Sequence, residues 1–191
     1  METLIQHSQI SNNNLQIVLV LSNRKEARGL RIARNLGVPS KVIEETTFEN
    51  KKAFEDQLTV TLEEANAELI CLAGFMRLLG VDFVQHWHNK IINIHPSVLP
   101  AFKGLNTHQR VCESGAPYTG CTVHFVRPGM DDGPIILQAI TPVRTGEDVH
   151  ELSARVLKLE HQCYSLAVSW IAKGLVKIVN ERVLIQSETA H

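Results

Sequence analysis

The chain lacks any CxxC pair, any strong excess of charge of one sign and any apolar run long enough to cross a bilayer. Its four cysteines, Cys71, Cys112, Cys121 and Cys163, stand far apart in apolar or helical contexts. They read as reduced thiols of an intracellular protein, not as a disulfide frame or a zinc site, so no metal is expected. A formal net charge of −1 supplies neither a basic field nor an acidic tail, which favours a small-molecule ligand over nucleic acid. The longest apolar run, "LICLAGFM", is too short to span a membrane. The opening "METLIQHSQISNNN" lacks the basic flank and apolar block of a secretory signal. The expected location is cytoplasmic, with no membrane partner. No internal repeat or low-complexity segment is evident.

What is present is a strand–helix alternation over 191 residues, a length that fits one domain with a sizeable core. "LQIVLVLSN", "SKVIEE", "ELICLAGF" and "IINIH" read as short strands, the first and third as strands buried on both faces. Helical patterns lie between them in "KEARGLRIARNLGVP", "FENKKAFEDQLTVTLEEANA" and "GVDFVQHWHNK". Phe54, Leu58 and Leu62 share one face of the second of these. After a short helix, "THQRVCESG", the segments "YTGCTVHFV" and "GPIILQAITPV" flank the turn-rich "RPGMDDG" and read as an antiparallel pair. A long helix is expected from about Glu147 to Lys173, with Thr145 and Asp148 as its capping box. The tail "VKIVNERVLI" reads as a hairpin. The pattern implies an α/β fold, doubly wound, with a mostly parallel sheet and helices on both faces. "METLIQHSQ" is unusual in being a helical pattern with no strand to feed it.

Chemistry concentrates in "IINIHPSVLP". Residues two apart on a strand share a face, so Asn93 and His95 point the same way at the strand's carboxyl end, where open α/β sheets bind ligands. An imidazole shuttles protons near neutral pH, and a carboxamide N–H can stabilise a developing oxyanion. Together they suit acyl transfer. Taken alone, such a pair is more often a buried polar pair satisfied by backbone groups. "MDDGP" offers carboxylates that would favour the imidazolium form of His95, or else a plain Asp-Gly turn. His124 in "TVHFV" is as readily a satisfied sheet histidine as a catalytic one. His86 and His88 of "HWH" fall on different faces of a helix, which suits packing or solvent exposure better than a metal. Arg77 in "FMRLL" is either a surface arginine with a buried stem or a contact to a flat ligand.

These residues also carry a resemblance. The blocks "CLAGFMRLL", "NIHPSVLPAFKG", "GCTVHFV", "DDGPIILQAITPV" and "LEH" closely resemble the phosphoribosylglycinamide formyltransferases (glycinamide ribonucleotide transformylases), folate-dependent enzymes of purine biosynthesis. The likeness covers nearly the whole chain, as one formyltransferase domain over residues 1–191. It implies transfer of the formyl group of 10-formyltetrahydrofolate, a cosubstrate, to the amine of glycinamide ribonucleotide. Asn93, His95 and Asp131 match the family's catalytic trio. Asn93 would donate to the oxyanion, His95 would act as general acid or base, and Asp131 would hold and tune His95, with a bound water. The folate would lie against Met76, Arg77, Leu78 and Leu79, Asn93, and the loop Arg127, Pro128, Gly129, Met130 and Asp131, with Lys51 near its carboxylate tail. Glu160 and neighbouring His161 match the face that meets the ribonucleotide.

The resemblance also implies an N-terminal strand and a G-x-G-S-N phosphate loop, which grips the substrate phosphate through backbone N–H groups. This chain starts just after the equivalent of that loop, so "METLIQHSQ" matches the helix that follows it, and the expectation is an N-terminally truncated domain or a piece of a longer multifunctional chain. A folate-binding fragment without catalysis is the alternative from another class. A formyltetrahydrofolate deformylase is the alternative enzyme, though nothing here resembles its usual regulatory domain. A methionyl-tRNA formyltransferase would need a C-terminal extension for tRNA.

Overall fold

The computed structural model describes residues 1–10 and 14–186. A parallel pair opens the fold, β1 (Val20–Ser22) beside β2 (Ser40–Val42). A four-stranded sheet follows in the order β3 (Ile70–Leu72), β4 (Ile91–His95), β5 (Tyr118–Phe125), β6 (Ile135–Pro142). β3 and β4 are parallel; β4–β5 and β5–β6 are antiparallel. The hairpin β7 (Val176–Val179) and β8 (Arg182–Ile185) ends the described chain. The expected α/β class holds, but the ladder turns antiparallel from β4 onward; for β5 and β6 the reason is the "RPGMDDG" connection, which is too short for a crossover helix.

Alternation along β4 separates two cores. Ile91 packs with Phe54 and Leu58 of α3 (Lys51–Glu64) and with Phe83 and Val84 of α4 (Val81–His86). Ile92 packs on the other face with Leu152, Val156 and Val168 of α6 (Val149–Ala172). Helices therefore cover both faces. The opening helix α1 (Glu2–Ser8) buries Leu4 and Ile5 and packs against α6 and α2 (Arg28–Asn35). Tyr164 of α6 donates its buried hydroxyl toward the carbonyls of Leu72 and Ile92, at 2.8 and 3.0 Å, and so ties β3 to β4 from below.

Some local expectations need correction. β1 and β3 are three residues long and only half-buried, because each has a ladder partner on one side only among the described residues. The capping box of α6 is formed by Asp148 and Glu151, not by Thr145. The Asp148 carboxylate accepts from the N–H groups of His150 and Glu151, and Glu151 reaches back to the Asp148 N–H.

Candidate active site

β4 places Asn93 and His95 on one face of the sheet, the face that holds Ile91 against α3 and α4. The antiparallel register sets His124 directly opposite Asn93 and Thr122 opposite His95. The Thr122 hydroxyl donates to the Ser97 carbonyl at 2.6 Å and accepts from the Leu99 N–H at 3.0 Å and from the Gln138 amide at 2.9 Å. This fixes the segment after β4 against the sheet.

His95 is buried. Its Nε2 lies 2.9 Å from the Phe102 carbonyl and its Nδ1 3.4 Å from Asp131 Oδ2. Both neighbours accept only, so a doubly protonated ring satisfies both and a neutral ring satisfies one. Asp131 reaches this place although β5 runs away from it. The loop after Phe125 folds back over the sheet face, with Asp131 in the left-handed region at φ 48°. A Cβ at Gly133 would sit 1.7 Å from the Phe125 carbonyl oxygen, so only glycine allows the chain to pass so closely. Asp131 Oδ2 also accepts from the Gly104 N–H at 2.8 Å. Lys103 pairs with Asp132 at 2.6 Å, and that contact holds the exposed Asp132 carboxyl below its ordinary value. Two loops are thereby joined above His95.

His124 donates from Nδ1 to the Phe125 carbonyl at 2.9 Å, which leaves Nε2 as an acceptor facing the Asn93 amide nitrogen at 3.4 Å. Burial pushes this imidazole below its ordinary value, against the raising effects of the Phe125 carbonyl and Asp131. A neutral ring with Nε2 unprotonated makes the 3.8 Å approach to Asp131 Oδ1 a proximity and not an ion pair. His108, in the first turn of α5 (Thr107–Ser114), is also held below its ordinary value, by burial and then by the nearby His95.

The other expected site residues are more widely placed. Met76, Arg77 and Leu78 are exposed on the loop between β3 and α4, while Leu79 packs into the core beneath. Met76 is 74% exposed, Leu78 60% and Met130 48%, a set of apolar loop side chains that the fold itself does not bury. Pro128 and Gly129 are exposed beside Met130. Lys51, at the start of α3, lies 3.7 Å from Glu55. The Arg127 guanidinium turns away from the site. It forks onto Glu181 at 2.7 and 3.2 Å and donates to Asn89 at 2.7 Å, so only its backbone belongs to the loop that carries Asp131. Glu160 is half-buried on α6, where burial raises its carboxyl above the ordinary value, and His161 is exposed. Neither meets the trio. His86 pairs with Glu63 at 2.9 Å and packs edge-on against Trp87, which accounts for it without a metal.

Sequence reasoning did not find the Phe102 carbonyl, the Gly104 N–H or the His124–Asn93 contact. Only the last had a signal, the histidine in "TVHFV", and its meaning depends on strand register.

With this geometry in place, the comparisons are specific. The family model for formyl transferases matches residues 1–168. A trifunctional purine biosynthetic protein, adenosine-3, from Gallus gallus is 44% identical over 93% of this chain, and the chain spans 18% of that protein's length. The phosphoribosylglycinamide formyltransferase of Escherichia coli is 39% identical over 83% of this chain and 75% of its own. A crystal structure of the enzyme of that name from Anaplasma phagocytophilum superposes with a TM-score of 0.90 at 38% identity, covering 99% of this chain and 89% of that one. The trio on β4 and its neighbouring loop thus stands in a chain that belongs to the phosphoribosylglycinamide formyltransferase family.

Proposed function

We propose that the chain transfers the formyl group of 10-formyltetrahydrofolate to the amine of glycinamide ribonucleotide. The observation that carries this reading is the shared face of Asn93 and His95 with Asp131 at 3.4 Å from the imidazole. The amine lone pair attacks the formyl carbon, and the carbonyl oxygen becomes an oxyanion. Asn93, with one amide hydrogen committed to His124, donates the other to that oxyanion. Collapse breaks the bond to the folate nitrogen. His95 carries the proton from the attacking amine to that leaving nitrogen, and Asp131 orients the ring and stabilises its charged form.

The exposed side chains of Met76, Leu78 and Met130 suit a flat apolar ring system, which would bury them on binding. Lys51 suits the carboxylate tail, and Glu160 and His161 suit the ribonucleotide. The likeness to a trifunctional relative supports a formyltransferase module of a kind that also works inside longer polypeptides.

The test is an assay of the chain with 10-formyltetrahydrofolate, with and without glycinamide ribonucleotide. Formylated ribonucleotide and tetrahydrofolate in equal amounts support the reading. Formate release that ignores the ribonucleotide indicates hydrolysis instead. Folate binding with no ribonucleotide affinity reduces the chain to a folate-binding module.

A further inference from the structure

We propose that Glu55, buried on α3, is a positioning residue that sets the shape of the folate-facing loop between β3 and α4. This rests on the functional reading above and adds a residue to it.

Leu72, the last residue of β3, pairs with Asn93. The loop that follows therefore leaves the sheet at the level of the trio. Its tip is apolar and exposed at Met76 and Leu78, so packing alone does not fix it. Polar contacts reach it from two acidic residues. Arg77 Nε lies 2.7 Å from Glu45 on one side. On the other, the Gly80 N–H donates to Glu55 Oε1 at 2.7 Å.

The Glu55 contact is the more constraining. Glu55 is 7% exposed, an uncommon place for a carboxylate. The same Oε1 lies 3.7 Å from the Lys51 ammonium. One oxygen thus joins the backbone that ends the loop to the cation placed for the folate tail. Gly80 fits this closely: a Cβ there would lie 2.4 Å from Glu55 Oε2. Its backbone is in an ordinary conformation, with φ −69°, so what a side chain at this position would displace is the carboxylate, not the turn. A hydrogen bond to a charged acceptor shielded from water is strong. The function of this one is to fix where the loop ends, and thereby where Met76 to Leu79 stand.

Glu55→Ala removes the anchor. Gly80→Ala pushes the carboxylate off the backbone from the other side. Glu55→Gln keeps an oxygen acceptor for the Gly80 N–H and loses only the charge. Steady-state kinetics, with direct titration of 10-formyltetrahydrofolate, separates them. Glu55→Ala and Gly80→Ala are expected to raise the folate KM and Kd by on the order of 10-fold, with kcat and the ribonucleotide KM changed less than about twofold. Glu55→Gln is expected to restore most of the loss. An unmoved folate Kd in Gly80→Ala, or a Gln variant as weak as the Ala variant, overturns the assignment. So does a parallel loss of kcat and both KM values. A wild-type chain that binds no folate overturns the functional reading itself, whereas normal wild-type binding with an unmoved Glu55→Ala overturns only the role of Glu55.

Discussion

The Asn93 amide nitrogen lies 3.4 Å from Nε2 of His124, across a β4–β5 register that sets the two residues opposite each other. Because His124 Nδ1 is committed to the Phe125 carbonyl, its Nε2 accepts, and the Asn93 side chain is fixed with its NH₂ toward the imidazole. The remaining amide hydrogen then has a defined direction. His124→Phe keeps the volume and deletes the acceptor. With Asn93 as the proposed oxyanion donor, the kcat of this variant is expected to fall on the order of 10- to 100-fold, since a misaimed donor loses most of its effect. Rapid-quench measurement of formyl transfer checks this, and a chemical step at the wild-type rate would show that Asn93 needs no such support.

In the proposed mechanism His95 and Asp131 act on a proton rather than on folate affinity. His95→Ala and Asp131→Asn are expected to lower kcat by on the order of 100-fold or more, while folate Kd measured by titration moves far less. Asn at position 131 keeps an acceptor for the Gly104 N–H, so the loop stays in place and only the charge beside His95 is lost. Near-normal turnover in either variant would remove that residue from the proton path.

The parts of this site differ in how far the sequence discloses them. β4 is legible to the residue, because "IINIH" is a short β-branched apolar run that Pro96 stops. α5 is legible for a similar reason, since Gly115 ends it in the left-handed region. Asp131 could be named by resemblance, but its path could not: nothing local says that the loop doubles back over the sheet. The direction of Arg127 was equally hidden, because its partner Glu181 lies in a hairpin distant in sequence. Period and capping are local properties. Register and the choice of a side chain's partner are set by the tertiary structure.

The cap of α6 gives a stability prediction independent of any activity. Asp148 satisfies two orphan N–H groups at the start of the longest helix in the described chain. Asp148→Ala is expected to cost about 1 kcal/mol, or a fall in Tm of roughly 2–4 °C for a chain of this size. Differential scanning calorimetry settles it, with Asp148→Asn expected to retain most of the stability. A Tm for the Ala variant equal to wild type would mean that α6 is held by its packing alone.

Glu147 and Arg155 link the start of α6 to the end of β6. Arg155 Nε and Nη2 meet the two Glu147 carboxylate oxygens at 2.7 and 2.6 Å, and the guanidinium also donates to the Thr141 hydroxyl and the Pro142 carbonyl. The Arg155 hydrogen bonds outweigh the opposing effect of desolvation and bring the Glu147 carboxyl from 4.5 down to about 2. A folded-state value below the unfolded one favours the native state most when the group is ionised in both. The contribution is therefore complete above pH 4.5 and is lost as pH falls toward about 2. Glu147→Gln keeps the shape and cannot ionise, so it should be less stable than wild type near neutrality. Urea unfolding at about pH 6 and about pH 3 measures the gap between the two proteins, which is expected to narrow at the lower pH. A gap of constant size across that range would mean that the pair contributes through geometry and hydrogen bonding, without a titrating charge.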